Sequence, residues 1–228
     1  MSRSRPPVLA QQTFQQNESA LKDLDLAAKF QFIHRTNMWG SPESTSGVGS
    51  TLDATEPIRR GIATVCRQFN VSSILDAPCG DSSWITAAEL PIQKYIGIDV
   101  VPELIERNTQ RYGSEKCEFR IGDLTKDTLP TGDLVLCRDC LVHLSFANIR
   151  LVLTNFRRSR SKYLLTTTFT THDINEDIAD GDWRLLNLEK QPFSFPMPMV
   201  TINEECEEIG GAYRDKSLAL WAIAQLPI

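Results

Sequence analysis

Histidine is scarce in this 228-residue chain, with three copies, and tryptophan and tyrosine reach only four each. The six cysteines are scattered and give one Cys-x-x-Cys spacing, Cys137 to Cys140, with no second pair. A structural zinc site needs four ligands at set spacings, so no metal is expected, and the pair reads as packing at the end of an apolar strand. Positive charge is not in excess: 24 Lys and Arg against 29 Asp and Glu leave a formal charge of −5. The chain therefore lacks the broad cationic field that holds a phosphate backbone, and nucleic acid is not expected as a principal partner. Apolar stretches such as Ser217 to Pro227 fall well short of the roughly 20 residues of a membrane helix, so no membrane span is expected. The start, Met1 to Gln16, carries two arginines, two prolines and a glutamine cluster instead of an apolar signal core, and residues 1–13 read as a disordered tail. Scattered thiols in apolar surroundings suit a reducing compartment, which places the protein in the cytoplasm.

What is present is an ordinary globular composition, 41% apolar and 23% charged, and a length that buries roughly 70% of the unfolded surface without any staple. Leu21, Leu24, Leu26, Ala27, Phe30 and Ile33 recur at helical spacing and predict an amphipathic helix from Phe14 to His34. A polar loop of small residues follows, Trp39 to Ser50, which reads either as a linker or as a lid, and then a second helix, Glu56 to Phe69. Residues 14–70 thus form N-terminal helices and a lid loop.

From residue 71 the texture alternates. Strand-like runs at Val71–Asp76, Tyr95–Val101, Cys117–Ile121, Asp133–Cys137 and Lys162–Thr168 are separated by helical ones at Ser83–Leu90, Pro102–Tyr112 and Phe146–Arg158. Strands separated by helices imply a doubly wound α/β domain with a mostly parallel sheet. Two last runs, Met199–Asn203 and Ser217–Ala224, have no helix between them and predict an antiparallel pair, giving seven strands in a domain spanning 71–228. An insertion at 171–198, containing Trp183, Arg184 and a proline-rich Phe193–Met199, stands between the fifth strand and that pair as an acceptor-site cover.

In an open parallel sheet the ligand crevice lies beyond the carboxyl ends of the strands. The first strand ends in Asp76-Ala-Pro78-Cys79-Gly80-Asp81, an acid followed by a tight turn. The second ends in Asp99, where an acid can accept both hydroxyls of a ribose. The third ends in Asp123-Leu124, a carboxylate for an adenine amino group and a peptide N–H for a ring nitrogen. Three acids after three consecutive strands point to a nucleotide-type ligand. A dinucleotide enzyme is the rival, but it wants G-x-G-x-x-G after the first strand, and only Gly80 is supplied here.

The series resembles the class I S-adenosylmethionine-dependent methyltransferases, whose first motif is an acid, a glycine-rich turn and a helix. The likeness covers about Val71 to Thr168. It extends to a bacterial-type branch through Trp39-Gly-Ser, Asp76-Ala-Pro-Cys-Gly-Asp and Arg138-Asp-Cys-Leu-Val-His143. The resemblance implies that S-adenosyl-L-methionine is the cofactor, with Asp76 and the Gly80 turn at its methionine part, Asp99 at its ribose, and Asp123 with Leu124 at its adenine. Pro78 stands where the first glycine is usual and carries no N–H, so backbone contacts fall to Cys79, Gly80 and Asp81. Trp39 would cover the pocket, and Ser44 or Ser46 would meet the cofactor carboxylate.

In such enzymes the loop after the fourth strand lies beside the reacting sulfur. That loop is Cys137-Arg138-Asp139-Cys140-Leu-Val-His143, and His143 is the candidate base, since histidine titrates near neutrality. Asp139, four residues earlier, would orient its ring. Arg138 is grouped with the cofactor-binding residues and would also suit an acidic group of the acceptor. Trp183 and Arg184 are the candidate acceptor contacts; His34 and His172 are isolated and carry no assignment. The expected activity is methyl transfer to a small-molecule or sugar-like acceptor, on oxygen. A non-catalytic module of the same fold and a protein or amine N-methyltransferase are the alternatives.

Overall fold

The structure, a computed structural model, describes residues 5–228; the first four residues of the expected tail lie outside it. A seven-stranded sheet in the order β3-β2-β1-β4-β5-β7-β6 forms its centre. The strands are β1 Ser73–Asp76, β2 Lys94–Asp99, β3 Cys117–Ile121, β4 Leu134–Cys137, β5 Tyr163–Phe169, β6 Val200–Asn203 and β7 Lys216–Ala222. The first five pair in parallel, and β7 runs antiparallel to both β5 and β6. Chain order reverses between β1 and β4, so the crevice opens over the ends of β1, β2 and β4, as the acid-tipped strands predict.

Both faces of the central strands β1 and β4 are covered, which explains their apolar runs, whereas the edge strands β3 and β6 carry exposed polar residues. On one face Ile74, Leu134 and Leu136 pack with Ile58, Ile62 and Val65 of helix α3 (Leu52–Gln68) and with Ile105 of helix α5 (Pro102–Tyr112). On the other, Leu75, Val135 and Cys137 meet Ile149, Val152 and Phe156 of helix α6 (Phe146–Arg158). The insertion adds Leu186, Leu188, Phe193 and Phe195 to this second layer. It has neither helix nor strand and is held by Phe193 edge-on to Phe146 and Phe195 edge-on to Trp221.

Four expectations change. The single helix over 14–34 is two, α1 Leu9–Leu21 and α2 Leu26–Arg35, because Asp25 accepts from the Ala28 N–H at 2.8 Å and caps a new start. Residues 5–13 are not a loose tail: Arg5 pairs with Asp215, the Tyr213 hydroxyl donates to the Pro6 carbonyl, Val8 is buried, and α1 begins at Leu9. The helix after β1, α4, is only Ser83–Thr86, and a short helical turn at Glu208–Gly211, broken by left-handed residues, lies between the last two strands.

Candidate functional site

A cavity of about 1020 Å³, including its open mouth, occupies the crevice. Asp76, Asp99 and Asp123 all line it, with Pro78, Cys79, Gly80, Leu124, Arg138, Asp139 and His143 around them. Asp99 is buried at the end of β2. Its Oδ2 accepts from the Gly80 N–H and its Oδ1 from the Val101 N–H, each at 3.0 Å. A carboxylate has about four acceptor positions, so two remain for ligand hydroxyls. Asp76 accepts the Tyr95 hydroxyl at 2.6 Å. Burial pushes Asp76 up to about 7 and Asp99 up to about 6, which gives the cavity wall an appetite for a cation. Asp123 spends Oδ1 on the Thr125 N–H and hydroxyl, at 2.9 and 2.6 Å.

The turn after β1 works differently from the expectation that its N–H groups serve a ligand. The Cys79 N–H goes to the Ile98 carbonyl, that of Gly80 to Asp99, and that of Asp81 to the Ser46 hydroxyl. Gly80 has φ +54°, and a Cβ there would lie 2.3 Å from Ser46 Oγ, so only glycine lets the lid loop settle on the turn. Asp81 holds the loop in place, accepting from the Ser44 hydroxyl at 2.6 Å and the Thr45 N–H at 3.0 Å. Ser44 therefore meets Asp81 and not a cofactor carboxylate, while Trp39, Thr45, Ser46 and Ser50 reach the cavity. The Trp39–Ser50 segment is thus tied to the turn after β1 and borders the cavity.

Arg138 is buried and already engaged. It donates to Glu204 through Nε at 3.3 Å and Nη2 at 2.6 Å, to the Gly49 carbonyl at 2.7 Å, and lies 5.3 Å over the Trp84 ring. Asp139 pairs with Lys216 at 2.7 Å, and Lys216 also reaches Glu204 at 3.4 Å. Two cations and two anions thus close a neutral buried cluster under the lid. Burial alone would push Asp139 up, but Lys216 and Arg138 hold it well below the usual carboxylate range.

His143 ends a 3₁₀ turn, Leu141–His143, after β4 and is buried. Asp139 does not orient it. Its Nδ1 lies 2.8 Å from the carbonyl of Asp182, which as a pure acceptor fixes the proton on Nδ1 and leaves Nε2 as a lone pair. Among the described residues Nε2 has no partner, yet it is not sealed from the cavity. Trp39 packs against the ring, with centroids 5.0 Å apart.

The insertion braces this turn. Gly181 N–H donates to the His143 carbonyl at 2.8 Å, and Arg184 Nη1 and Nη2 donate to the carbonyls of Leu141 and Leu144 at 2.7 and 2.8 Å. Arg184 is thus a clamp behind the turn and lines neither cavity, contrary to its expected acceptor contact. Trp183 does reach a cavity, a second one of about 650 Å³ that shares Trp39, Ser46, Asp139 and His143 with the first.

Sequence reasoning passed over His34. On α2, Leu26, Phe30 and His34 recur every four residues and face the first cavity, and the His34 Nδ1 is buried with no hydrogen-bond partner among the described residues. That spacing was a readable signal. No signal pointed to Asp182, Glu204 or Lys216, which come from distant segments.

Burial pushes the His143 imidazole down to about 4. The unfolded chain takes up this proton near pH 6.5 and the folded protein refuses it until about pH 4, so stability is full above 6.5 and falls through that window on acidification. Asp76 and Asp99 act with opposite sign but cancel between two proteins that both contain them. Relative to His143→Asn, the wild type should lose up to about 1.4 kcal/mol of unfolding free energy per pH unit between 6.5 and 4. Urea titrations across that range check this, and a pH-independent difference would refute a neutral buried ring.

No helix of the described residues is long and apolar enough to cross a membrane. No curated protein sequence matches the chain. Residues 74–162 match the family described as a methyltransferase domain. Among solved structures, the chain is similar to human N-acetylserotonin methyltransferase, with TM-score 0.56 and 12% identity over 92% of this chain and 66% of that one. It is similar to the methyltransferase domain of bacterial CtHen1, with TM-score 0.52 and 14% identity over 75% and 98%. NodS, an N-methyltransferase from Bradyrhizobium japonicum in complex with S-adenosyl-L-homocysteine, gives TM-score 0.50 and 14% identity over 64% and 74%. These identities speak to a common fold, and the family match to the chemistry it carries: residues 74–162 form an S-adenosylmethionine-dependent methyltransferase domain.

Proposed function

We propose that the enzyme methylates a hydroxyl of a small molecule, with His143 as the general base. The observation that carries this is the fixed tautomer of His143 at the seam of two cavities: Nδ1 tied to the Asp182 carbonyl, Nε2 open. The first cavity fits the methyl donor. Its buried carboxylates Asp76 and Asp99 favour a cationic ligand, Asp99 keeps acceptor positions for ribose hydroxyls, and Leu26, Phe30 and Leu124 offer apolar contact to a base. Bound S-adenosylmethionine supplies a methyl group on a positively charged sulfur.

His143 Nε2 takes the hydroxyl proton as the acceptor oxygen forms its bond to the methyl carbon and the sulfur–carbon bond breaks. Positive charge leaves the sulfur and reappears on the imidazole, so the cavity gains no net charge. Burial, which holds the ring down to about 4, keeps it unprotonated at neutral pH, the form a base needs. Asp139 supports the imidazolium through its negative field and not by a hydrogen bond. Burial around Trp39 and the lid excludes competing water.

Incubating the protein with tritium-labelled S-adenosylmethionine and a fractionated metabolite extract tests this reading. The expected result is label in a low-molecular-weight product whose methyl sits on oxygen, identified by mass spectrometry. Label confined to amines or to protein would overturn it.

A further inference from the structure

The second cavity is walled by rings. Trp183 and Tyr213 stand edge to face with centroids 5.4 Å apart, Phe169 lies 5.9 Å from Trp183 and 6.2 Å from Tyr213, and the Trp39–His143 stack borders both cavities. Its outer side is the strap Val8–Ala10. Arg5, paired with Asp215, and the Tyr213 hydroxyl, donated to the Pro6 carbonyl, fix that strap, so the Tyr213 hydroxyl is spent outside the cavity.

The polar side chains that line this cavity, Ser46, Asp139, His143, Glu208 and Lys216, are mostly engaged by the protein itself: Ser46 Oγ accepts from the Asp81 N–H and Asp139 from Lys216. Lys216 is bound to Asp139 and Glu204, and His143 Nδ1 to Asp182. The His143 Nε2 and the Glu208 carboxylate make no hydrogen bond among the described residues. A polyol placed here would lose water from most of its hydroxyls without recovering partners. A planar π-system would gain contact with the half-buried rings of Trp183 and Trp39, which Phe169 and Tyr213 back from behind.

We infer that this cavity is the acceptor site and that it selects a flat hydroxylated aromatic compound of one or two rings, its hydroxyl at His143 Nε2 and any further donor at Glu208. The inference rests on the reading of His143 as base. Trp183, on the insertion, is then the specificity-determining wall.

The test uses the full chain saturated with S-adenosylhomocysteine. Calorimetric titration with 2-naphthol, 6-hydroxyquinoline and 5-hydroxyindole, against methyl glucoside and myo-inositol, reads binding, and labelled S-adenosylmethionine reads transfer to the same compounds. The expected result is sub-millimolar binding and methylation of at least one aromatic and none of the polyols. Trp183→Ala should weaken that binding, and raise KM, at least ten-fold with little change in kcat, while Trp183→Phe recovers most of it. Should Trp183→Ala fail to fold, Tyr213→Leu carries the same expectation. Polyol binding, no aromatic binding to a protein that binds S-adenosylhomocysteine, or aromatic binding indifferent to Trp183 and Tyr213 overturns the inference. Aromatic methylation that survives His143→Asn instead overturns the base assignment and leaves the pocket standing.

Discussion

His143→Asn is expected to lower kcat by about 10²–10⁴, the usual contribution of a positioned general base, while S-adenosylhomocysteine affinity stays within about three-fold. Asparagine suits the test because its side-chain amide can still donate to the Asp182 carbonyl, so the turn keeps its brace and only Nε2 is lost. A structural role alone would show up in affinity and stability, not in a selective loss of turnover. The pH dependence adds a second reading: activity of the wild type on a hydroxyl acceptor should fall on acidification as the imidazole is protonated, and the variant's residual rate should lack that limb. Stopped turnover with unchanged cofactor binding supports the base. Equal kcat in the two proteins demotes His143 to packing.

Asp99→Ala should weaken S-adenosylhomocysteine binding by about 1–3 kcal/mol, or roughly 5- to 150-fold, since the loss leaves two ribose hydroxyls without a charged acceptor. It also frees the N–H groups of Gly80 and Val101, which Asp99 now satisfies. The variant is therefore expected to melt lower without ligand. Asp99→Asn separates the two effects. It keeps a carbonyl acceptor for one N–H and removes the charge, so its stability should lie nearer the wild type while the affinity loss persists. Calorimetric titration with S-adenosylhomocysteine decides this, and unaltered affinity in both variants removes Asp99 from the cofactor site.

Much of the fold can be read locally. Helix α5 begins at Pro102 and α6 behind the Ser145 cap, where the sequence carries a first-turn proline and a capping hydroxyl, and both run over the residues that periodicity predicts. The acids are likewise local: Asp76 and Asp99 close the buried strands β1 and β2, and Asp123 follows β3 by two residues. The contacts that tune the chemistry are not local. Asp182 reaches His143 across 39 residues, Glu204 reaches Arg138 across 66, and Lys216 reaches Asp139 across 77. The i, i+4 spacing of Asp139 and His143 suggested a pair, but the intervening chain is a 3₁₀ turn and Asp139 sits at φ +50°, so the two side chains diverge and Lys216 takes the carboxylate. Likewise Asp25 read as one polar residue in a long helix, although its capping bond splits that helix in two.

The neutral cluster of Arg138, Asp139, Glu204 and Lys216 has a consequence for how the two ends of the chain depend on each other. Arg138 grips the Gly49 carbonyl near the N-terminal end while Glu204 and Lys216 arrive from the closing hairpin. A truncation before Val200 would remove Glu204 and Lys216 together and leave Arg138 with Asp139, 3.4 Å away, as its remaining counter-ion beneath the Trp39–Ser50 segment. The closing hairpin thereby governs whether the Trp39–Ser50 segment keeps its anchor over the cavity.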